Sequence, residues 1–190
     1  HEGFTAYSEN LFLNYYYGKK AAAEYVIGTR RRIGNKKPLI GVYNVNNEGS
    51  GDMYYKGANL LHTIRQLVND DEKWRQILRG LNSTFYHKTV TTQEIENYIS
   101  KQSGMDLSTF FNQYLRDVRI PTLAYRIKNK ELTYKWTNVV NGFNMPVRVT
   151  IDGKLLLLLK PTAVSKTMTL ESDATNLIVD INYYVNSKEF

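Results

Sequence analysis

The chain has 190 residues, of which 42% are hydrophobic and 23% charged, so it can bury one substantial core or two small ones and is not disordered. It has no cysteine, which excludes a disulfide framework, a thiolate zinc site and a cysteine nucleophile. The longest run of large aliphatic side chains, Leu155–Leu159, is far shorter than the roughly 20 residues that span a bilayer, so we expect no membrane span.

The net charge of +7 is spread along the chain rather than concentrated. Residues 1–118 carry 15 basic and 12 acidic side chains, and residues 119–190 carry 10 and 6. The one basic cluster is Arg30–Arg32 with Lys36 and Lys37. Such a cluster is more typical of a solvated helix end, which the helix dipole favours, than of a phosphate site. We therefore expect no nucleic-acid partner.

The first third of the chain predicts two helices and a long loop. Apolar residues at steps of three and four place one stripe on a helix that starts near residue 4, and a second helix is expected over about 19–32. Residues 33–53 are rich in glycine and asparagine, which predicts an ordered loop with one short strand at 39–43. Loops of this length within a compact domain are usually functional or disordered.

Helical spacing returns at about 57–68 and again at about 74–85. Thr91, with Glu94 three residues later, predicts a capping box at the start of the next helix. Asp106 is the expected N-cap of a last helix over 107–116. Residues 1–118 therefore form an all-helical unit in this interpretation.

Pro121 marks a change of hydrophobic period from 3.6 to 2, which predicts β-strands in the rest of the chain. Asp152–Gly153 separates two apolar runs and is a strong hairpin signal. About six short strands are expected, the last of them over 177–185. The predicted fold class is α+β, with a helical unit at 1–118 followed by a small β-sandwich of immunoglobulin-like type at 119–190.

No self-sufficient catalytic centre emerges from the residues alone. The three histidines, His1, His62 and His87, do not have the i, i+4 spacing that places two imidazoles on one helical face, and Thr5 stands where H-E-x-x-H needs its second histidine. His62 is expected to be a core or interface residue, and His87 to cap a helix end. Without further information Glu2 is a carboxylate at a helix start, favoured by the helix dipole.

Glu9 lies seven residues after Glu2, and two helical turns separate the pair by roughly 10 Å, so they cannot share one metal. Glu9 is then a solvated or paired acid. Tyr54 ends the glycine-rich segment 48–52 and opens a helix, where a phenol can point into a cleft beside backbone donors. A phosphate site at 48–52 is the less favoured alternative, because no Walker lysine follows.

Two segments resemble the gluzincin aminopeptidases of the M1 family. H-E-G-F-T-A-Y-S-E at 1–9 is similar to the family's W-x-x-E-G-[FL]-[AT]-x-Y-x-E, which follows its H-E-x-x-H helix, and Y-Y-K-G-A at 54–58 is similar to its Y-x-K-G-[AG]. The two motifs stand in the family's order, about 50 residues apart. The order of a helical stretch and a β-sandwich also matches, so the resemblance covers the whole chain.

The resemblance implies roles for individual residues. Glu2 matches the third zinc ligand of the family, and Tyr54 matches the tyrosine that stabilises the tetrahedral intermediate. Tyr55 is the alternative candidate for this role, but only Tyr54 lies two residues before Lys56, as the motif requires. Glu9 matches the last acid of the first motif, and we expect a supporting or structural role for it rather than metal ligation.

The sequence also departs from the family. The H-E-x-x-H helix, with two histidine ligands and the general base, is missing from this chain, and so is the G-x-M-E-N stretch that lines the family's substrate cleft. The expectation is therefore a C-terminal piece of a zinc-dependent aminopeptidase: the helical half of a zincin catalytic domain, completed by the rest of that domain upstream, then a β-sandwich. The parent would hold Zn²⁺ and cleave peptide substrates.

Two further expectations follow from these departures. One carboxylate does not hold zinc alone, so the fragment by itself is expected to be inactive and to bind no zinc tightly. The alternative interpretation is a non-catalytic scaffold of the same family that binds peptides or protein partners.

Overall fold

A computed structural model describes residues 1–42, 44, 45 and 49–190 and confirms the α+β class. A helical part comes first and a β part follows. The described helices are α1 (Glu2–Gly28), α2 (Asp52–Val68), α3 (Asp71–Thr84), α4 (Thr92–Ser103) and α5 (Ser108–Arg116), with a 3-10 turn at Thr29–Arg32 directly after α1. Among the described residues, no helix is both long and apolar enough to cross a membrane.

Helix α1 is a hairpin of two arms. Gly18 has φ 85° and ψ 172°, far from helical values, and breaks the helix between a first arm at 2–17 and a second arm at 19–28. A left-handed φ of this kind is one that glycine adopts without a Cβ penalty. Asn10 is buried and donates to the Ala22 carbonyl oxygen, which ties the arms together. The two separate helices expected here are thus confirmed.

The loop before α2 lacks the expected strand in its described part. Residues 39–42 are bends or irregular backbone, so the strand prediction is wrong for them, and Tyr43 lies outside the described residues. The Ile40 N–H donates to the carbonyl oxygen of Leu115 at 3.0 Å, at the end of α5. The backbone here is satisfied by a helix end instead of a neighbouring strand.

Local capping residues determine where α4 and α5 begin, and the start of α5 differs by one residue from the prediction. Thr91 and Glu94 form the expected capping box of α4. Helix α5 begins one residue later than expected, with Leu107 as N-cap, because the Asp106 carboxylate accepts the Ser108 N–H at 2.9 Å in a tighter turn. His87 is not a cap: α3 ends at Thr84, and its C-cap is Phe85, whose N–H donates to the Leu81 carbonyl oxygen.

Seven described strands form two sheets. The strands are β1 (Thr122–Lys128), β2 (Glu131–Thr137), β3 (Val147–Ile151), β4 (Leu155–Leu159), β5 (Lys166–Thr169), β6 (Leu177–Val179) and β7 (Asn186–Glu189). One sheet has the order β5-β2-β1-β7 and the other β4-β3-β6. Asp152 and Gly153 both have positive φ in the β3–β4 turn, which confirms the expected hairpin.

The strand expected over 177–185 forms only over its first three residues, and residues 180–185 are turns, bends or irregular backbone. β6 ends at Val179 because the Asp180 carboxylate accepts the Asn182 N–H at 2.9 Å and turns the chain. β7 then runs parallel to β1. Between them Tyr184 is buried, and its N–H donates to the Thr63 hydroxyl at 3.1 Å. The alternating apolar residues here pack against the helices. Their spacing is the same as that of a strand, so local periodicity cannot tell the two cases apart.

A single cluster of buried apolar side chains runs from the helices into both sheets. Trp74 lies at its helical end and Trp136 between the sheets, and both are almost completely buried. Tyr114 is fully buried and donates to the Tyr184 carbonyl oxygen at 2.7 Å, and burial raises the pKa of its phenol. The β part is therefore packed firmly on the helices that carry the candidate site.

Candidate functional site

The starts of α1 and α2 cross with their backbones in contact. A Cβ added to Gly3 would lie 2.9 Å from the Gly57 Cα and 3.2 Å from the Met53 carbonyl oxygen, and one added to Gly57 would lie 2.7 Å from the Gly3 Cα. Such an approach excludes any side chain at either position. Both glycines belong to the two segments singled out in the sequence, so those segments meet in space.

Glu2 stands at this crossing, directly before Gly3 and in the first turn of α1. Its side chain is half-buried, and it has no hydrogen bond or ion pair within the described part of the chain. Glu9 points elsewhere: it is exposed and accepts a hydrogen bond from the Tyr25 phenol on the second arm, which raises the pKa of that phenol. The two carboxylates thus have different surroundings, as the seven-residue spacing predicts.

Tyr54 lies on the same crossing, one helical turn before Gly57 and next to Met53. Its side chain is 40% exposed, and its hydroxyl has no hydrogen-bond partner among the residues that the structure describes. The neighbouring Tyr55 is engaged: its hydroxyl accepts from the Arg32 guanidinium at 2.6 Å, and the guanidinium also lies 5.2 Å from its ring centroid. Of the two tyrosines, Tyr54 has the phenol that is available to a ligand.

Asp52 and Lys56 hold the start of α2, a role that the sequence analysis missed. The Asp52 carboxylate accepts the N–H groups of Gly34 and Asn35 at 2.7 and 2.6 Å. Lys56 is completely buried and donates to the Asp117 carbonyl oxygen at 2.9 Å, and burial lowers the pKa of its ammonium. Their i, i+4 spacing on the apolar face of α2 was the available signal.

Arg30 is the exception within the basic cluster, because it is not a solvated helix end. Its Nε donates to the Asn59 side chain at 2.6 Å and its Nη1 to the Ile181 carbonyl oxygen at 2.8 Å, and its guanidinium lies over the Tyr184 ring. Burial lowers its pKa to about 10. Arg30 thus links the helical part to the β part behind the site.

His62 is buried at the same junction, as expected of a core or interface histidine. Its Nε2 lies 2.9 Å from the Asn182 side-chain oxygen, whereas Nδ1 is buried without a partner in the described structure. Burial, together with the charges of Arg65 and Arg30, lowers the pKa of its imidazole to about 4. His62 also borders a groove of about 730 Å³, which is lined by the second arm of α1, by α2 and by residues 181 and 182. Lys19 and Asp71 also line this groove and are ion-paired with each other.

No group of three or more His, Asp or Glu side chains comes together among the described residues as a metal site would require. Glu2 is therefore a single candidate ligand, and this chain's described residues do not complete a zinc site. Glu48, at the start of the glycine-rich segment, lies outside the described residues.

Comparison with known proteins gives a likeness of fold. No protein-family profile matches the sequence. The structure is similar to that of Legionella pneumophila aminopeptidase A, solved in complex with aspartic acid, with a TM-score of 0.66 and 18% sequence identity. The match covers 98% of this chain and 23% of that protein. The chain thus has the fold of part of an aminopeptidase, and it spans about a quarter of that protein's length.

Proposed function

We propose that this chain is part of a zinc-dependent aminopeptidase of M1 type, which releases N-terminal residues from peptides. In this proposal residues 1–118 are the helical part of the catalytic domain, and residues 119–190 are a β-sandwich domain packed against it. The observation that carries the proposal is the backbone contact between Gly3 and Gly57, because it places a free carboxylate, Glu2, and a free phenol, Tyr54, at one crossing.

Tyr54 is the residue with a direct chemical role. A neutral phenol donates a hydrogen bond to the carbonyl oxygen of the bond being cut, and the bond strengthens as negative charge develops on that oxygen. Loss of one such donor typically costs 100- to 1,000-fold in turnover, or about 3 kcal/mol. The partial exposure of Tyr54 and its lack of a described partner suit this role, whereas Tyr55 is already bonded to Arg32.

Glu2 is the proposed metal ligand, and it needs help from outside these 190 residues. A carboxylate together with two histidines forms a zinc site that keeps one position open for water or substrate. The two histidines and the general base would come from the upstream part of the catalytic domain. The chain by itself is then expected to be inactive and to bind no zinc tightly.

The fold likeness supports the proposal at a coarser level, because the similar protein is an aminopeptidase. The metal type, the M1 assignment and the roles of Glu2 and Tyr54 rest on the two motifs and their juxtaposition.

The test uses the longer protein that contains this chain, with wild type compared with Glu2→Gln and Tyr54→Phe. We expect wild type to bind one zinc and cleave amino-acyl substrates, Glu2→Gln to lose zinc, and Tyr54→Phe to keep zinc while kcat falls at least 100-fold. Glu9→Gln and Tyr55→Phe are the matched controls and should retain zinc and most of the activity.

A wild-type protein that holds no zinc and cleaves no amino-acyl substrate would refute the proposal. The same scaffold would then be a non-catalytic binding module. Loss of turnover in Tyr55→Phe instead of Tyr54→Phe would exchange the roles of the two tyrosines.

A further inference from the structure

A group of basic side chains belongs to a segment that contacts the start of α2. The second arm of α1 returns toward the start of α2, and the Arg32 guanidinium contacts the Tyr55 hydroxyl at 2.6 Å. The next residues stay at the same place, because the backbone N–H groups of Gly34 and Asn35 bind the Asp52 carboxylate. Residues 32–35 are therefore held at the first turn of α2, where the ring centroids of Tyr54 and Tyr55 are 6.5 Å apart.

Arg30 is bonded to Asn59 and Ile181 and is left out here. The basic cluster then consists of four cations that face solvent, namely Arg31, Arg32, Lys36 and Lys37. None of the four forms an ion pair with an acid among the described residues. The carboxylate that binds the backbone of this segment, Asp52, is buried and has both oxygens occupied by backbone N–H groups.

Several other cations of the chain are paired with a neighbouring acid. Lys19 and Arg65 share Asp71, and Arg119 pairs with Asp117. The basic cluster thus forms a positive surface that the described part of the chain does not neutralise. Such a surface raises the local concentration of anions within about one Debye length, roughly 8 Å at physiological salt.

We propose that the basic cluster makes the enzyme prefer acidic peptides, those with aspartate or glutamate within a few residues of the bond that is cut. The inference rests on the proposed aminopeptidase function and names its substrate class. The segment that carries the cluster contacts Tyr55 and Asp52 in the first turn of α2, which also carries Tyr54, and peptide carboxylates are the charged groups complementary to the cluster. Phosphate-rich nucleic acid is the competing occupant, and its binding is an outcome of the test.

The experiment compares two peptides in the longer protein. Both have a free N-terminal alanine and an amidated C terminus, and they differ only in carrying two glutamates or two glutamines after the alanine. The variant is Arg31→Gln/Lys36→Gln/Lys37→Gln, which leaves the Arg32 contact with Tyr55 intact. The matched control, Lys130→Gln/Lys154→Gln/Lys160→Gln, removes three exposed charges from the β part.

We expect wild type and the control to prefer the glutamate peptide in kcat/KM, and the triple variant to lose about 5- to 10-fold on that peptide only, since each exposed charge contributes roughly 2-fold. The preference should also shrink as salt rises from about 0.05 to 0.5 M. Equal kcat/KM ratios in wild type and the triple variant would refute the inference while leaving the aminopeptidase proposal intact.

A wild-type protein that hydrolyses neither peptide would refute the proposed function instead. Binding of the same two peptides, labelled with a fluorophore, then tests the basic cluster by itself. Tighter binding of the glutamate peptide that the triple variant loses supports recognition of acidic peptides. Equal binding of both peptides, or binding of a single-stranded oligonucleotide more tightly than the glutamate peptide, overturns it.

Discussion

Replacing Gly57 by alanine tests whether α1 and α2 approach as closely as the proposed site requires. Glycine in a helix interior ordinarily destabilises by about 1 kcal/mol relative to alanine, so at an unconstrained position the change would stabilise the chain. At Gly57 the new Cβ would lie 2.7 Å from the Gly3 Cα, a distance at which backbone must move. The two effects have opposite signs.

The steric effect should be larger. Forcing one methyl group into a packed contact typically costs about 1 to 3 kcal/mol, and here the obstacle is helix backbone, which cannot rotate away as a side chain can. Because the obstacle is backbone, we place the cost in the upper part of that range, about 2 to 3 kcal/mol. After subtraction of the propensity gain of about 1 kcal/mol, we expect Gly57→Ala to lower the free energy of unfolding by about 1 to 2 kcal/mol. Gly3→Ala should act in the same direction, because its Cβ meets the Gly57 Cα at 2.9 Å.

The measurement is urea unfolding of the chain, followed by far-UV circular dichroism. With a slope of about 2 to 3 kcal/mol per M, the midpoint should fall by roughly 0.5 M. Gly28→Ala is the matched control, because Gly28 has helical dihedrals and its Cβ would meet nothing within 4 Å. That variant should be unchanged or slightly stabilised. A Gly57→Ala midpoint at or above that of wild type would refute the close crossing, and with it the juxtaposition of Glu2 and Tyr54.

Three further substitutions probe a buried histidine, an ion pair and a helix cap. Because burial lowers the pKa of His62 to about 4 from 6.5, the unfolded chain takes up the proton first, and the free energy of unfolding should fall by roughly 3 kcal/mol as pH drops from about 6.5 to about 4; His62→Gln should remove this fall in urea titrations and His87→Gln should keep it. Arg116→Met leaves the buried Glu96 carboxylate without its guanidinium partner at 2.6 Å and should lower the free energy of unfolding in urea by about 2 to 3 kcal/mol. A decrease below about 1 kcal/mol would contradict the buried pair. Thr91→Ala removes the capping box of α4 and should lower the unfolding free energy by about 1 kcal/mol, with an unchanged urea midpoint as the contrary result.

Local chemistry in the sequence determined most of the secondary structure. The change of period at Pro121, the capping box at Thr91 and the Asp152–Gly153 turn each depend on residues within a few positions of one another, and the structure confirms all three. The failures lie where distant contacts outweigh local pattern. The strand expected at 39–43 is replaced in its described part by a loop that bonds to α5, and the strand expected at 177–185 ends at Val179, before the turn at Asp180.

For the candidate site, too, local sequence and tertiary structure determined different things. Motif spacing singled out Glu2 and Tyr54, and the roles given to them remain predictions. Only the tertiary structure brought them to one crossing, because the approach depends on two glycines that are 54 positions apart in the chain and on the backbone geometry between them. The same holds for the partner of Lys56, because the Asp117 carbonyl oxygen lies 61 positions further along the chain. Periodicity and capping are properties of neighbouring residues, whereas the position of a carboxylate relative to a phenol is set by how whole helices pack.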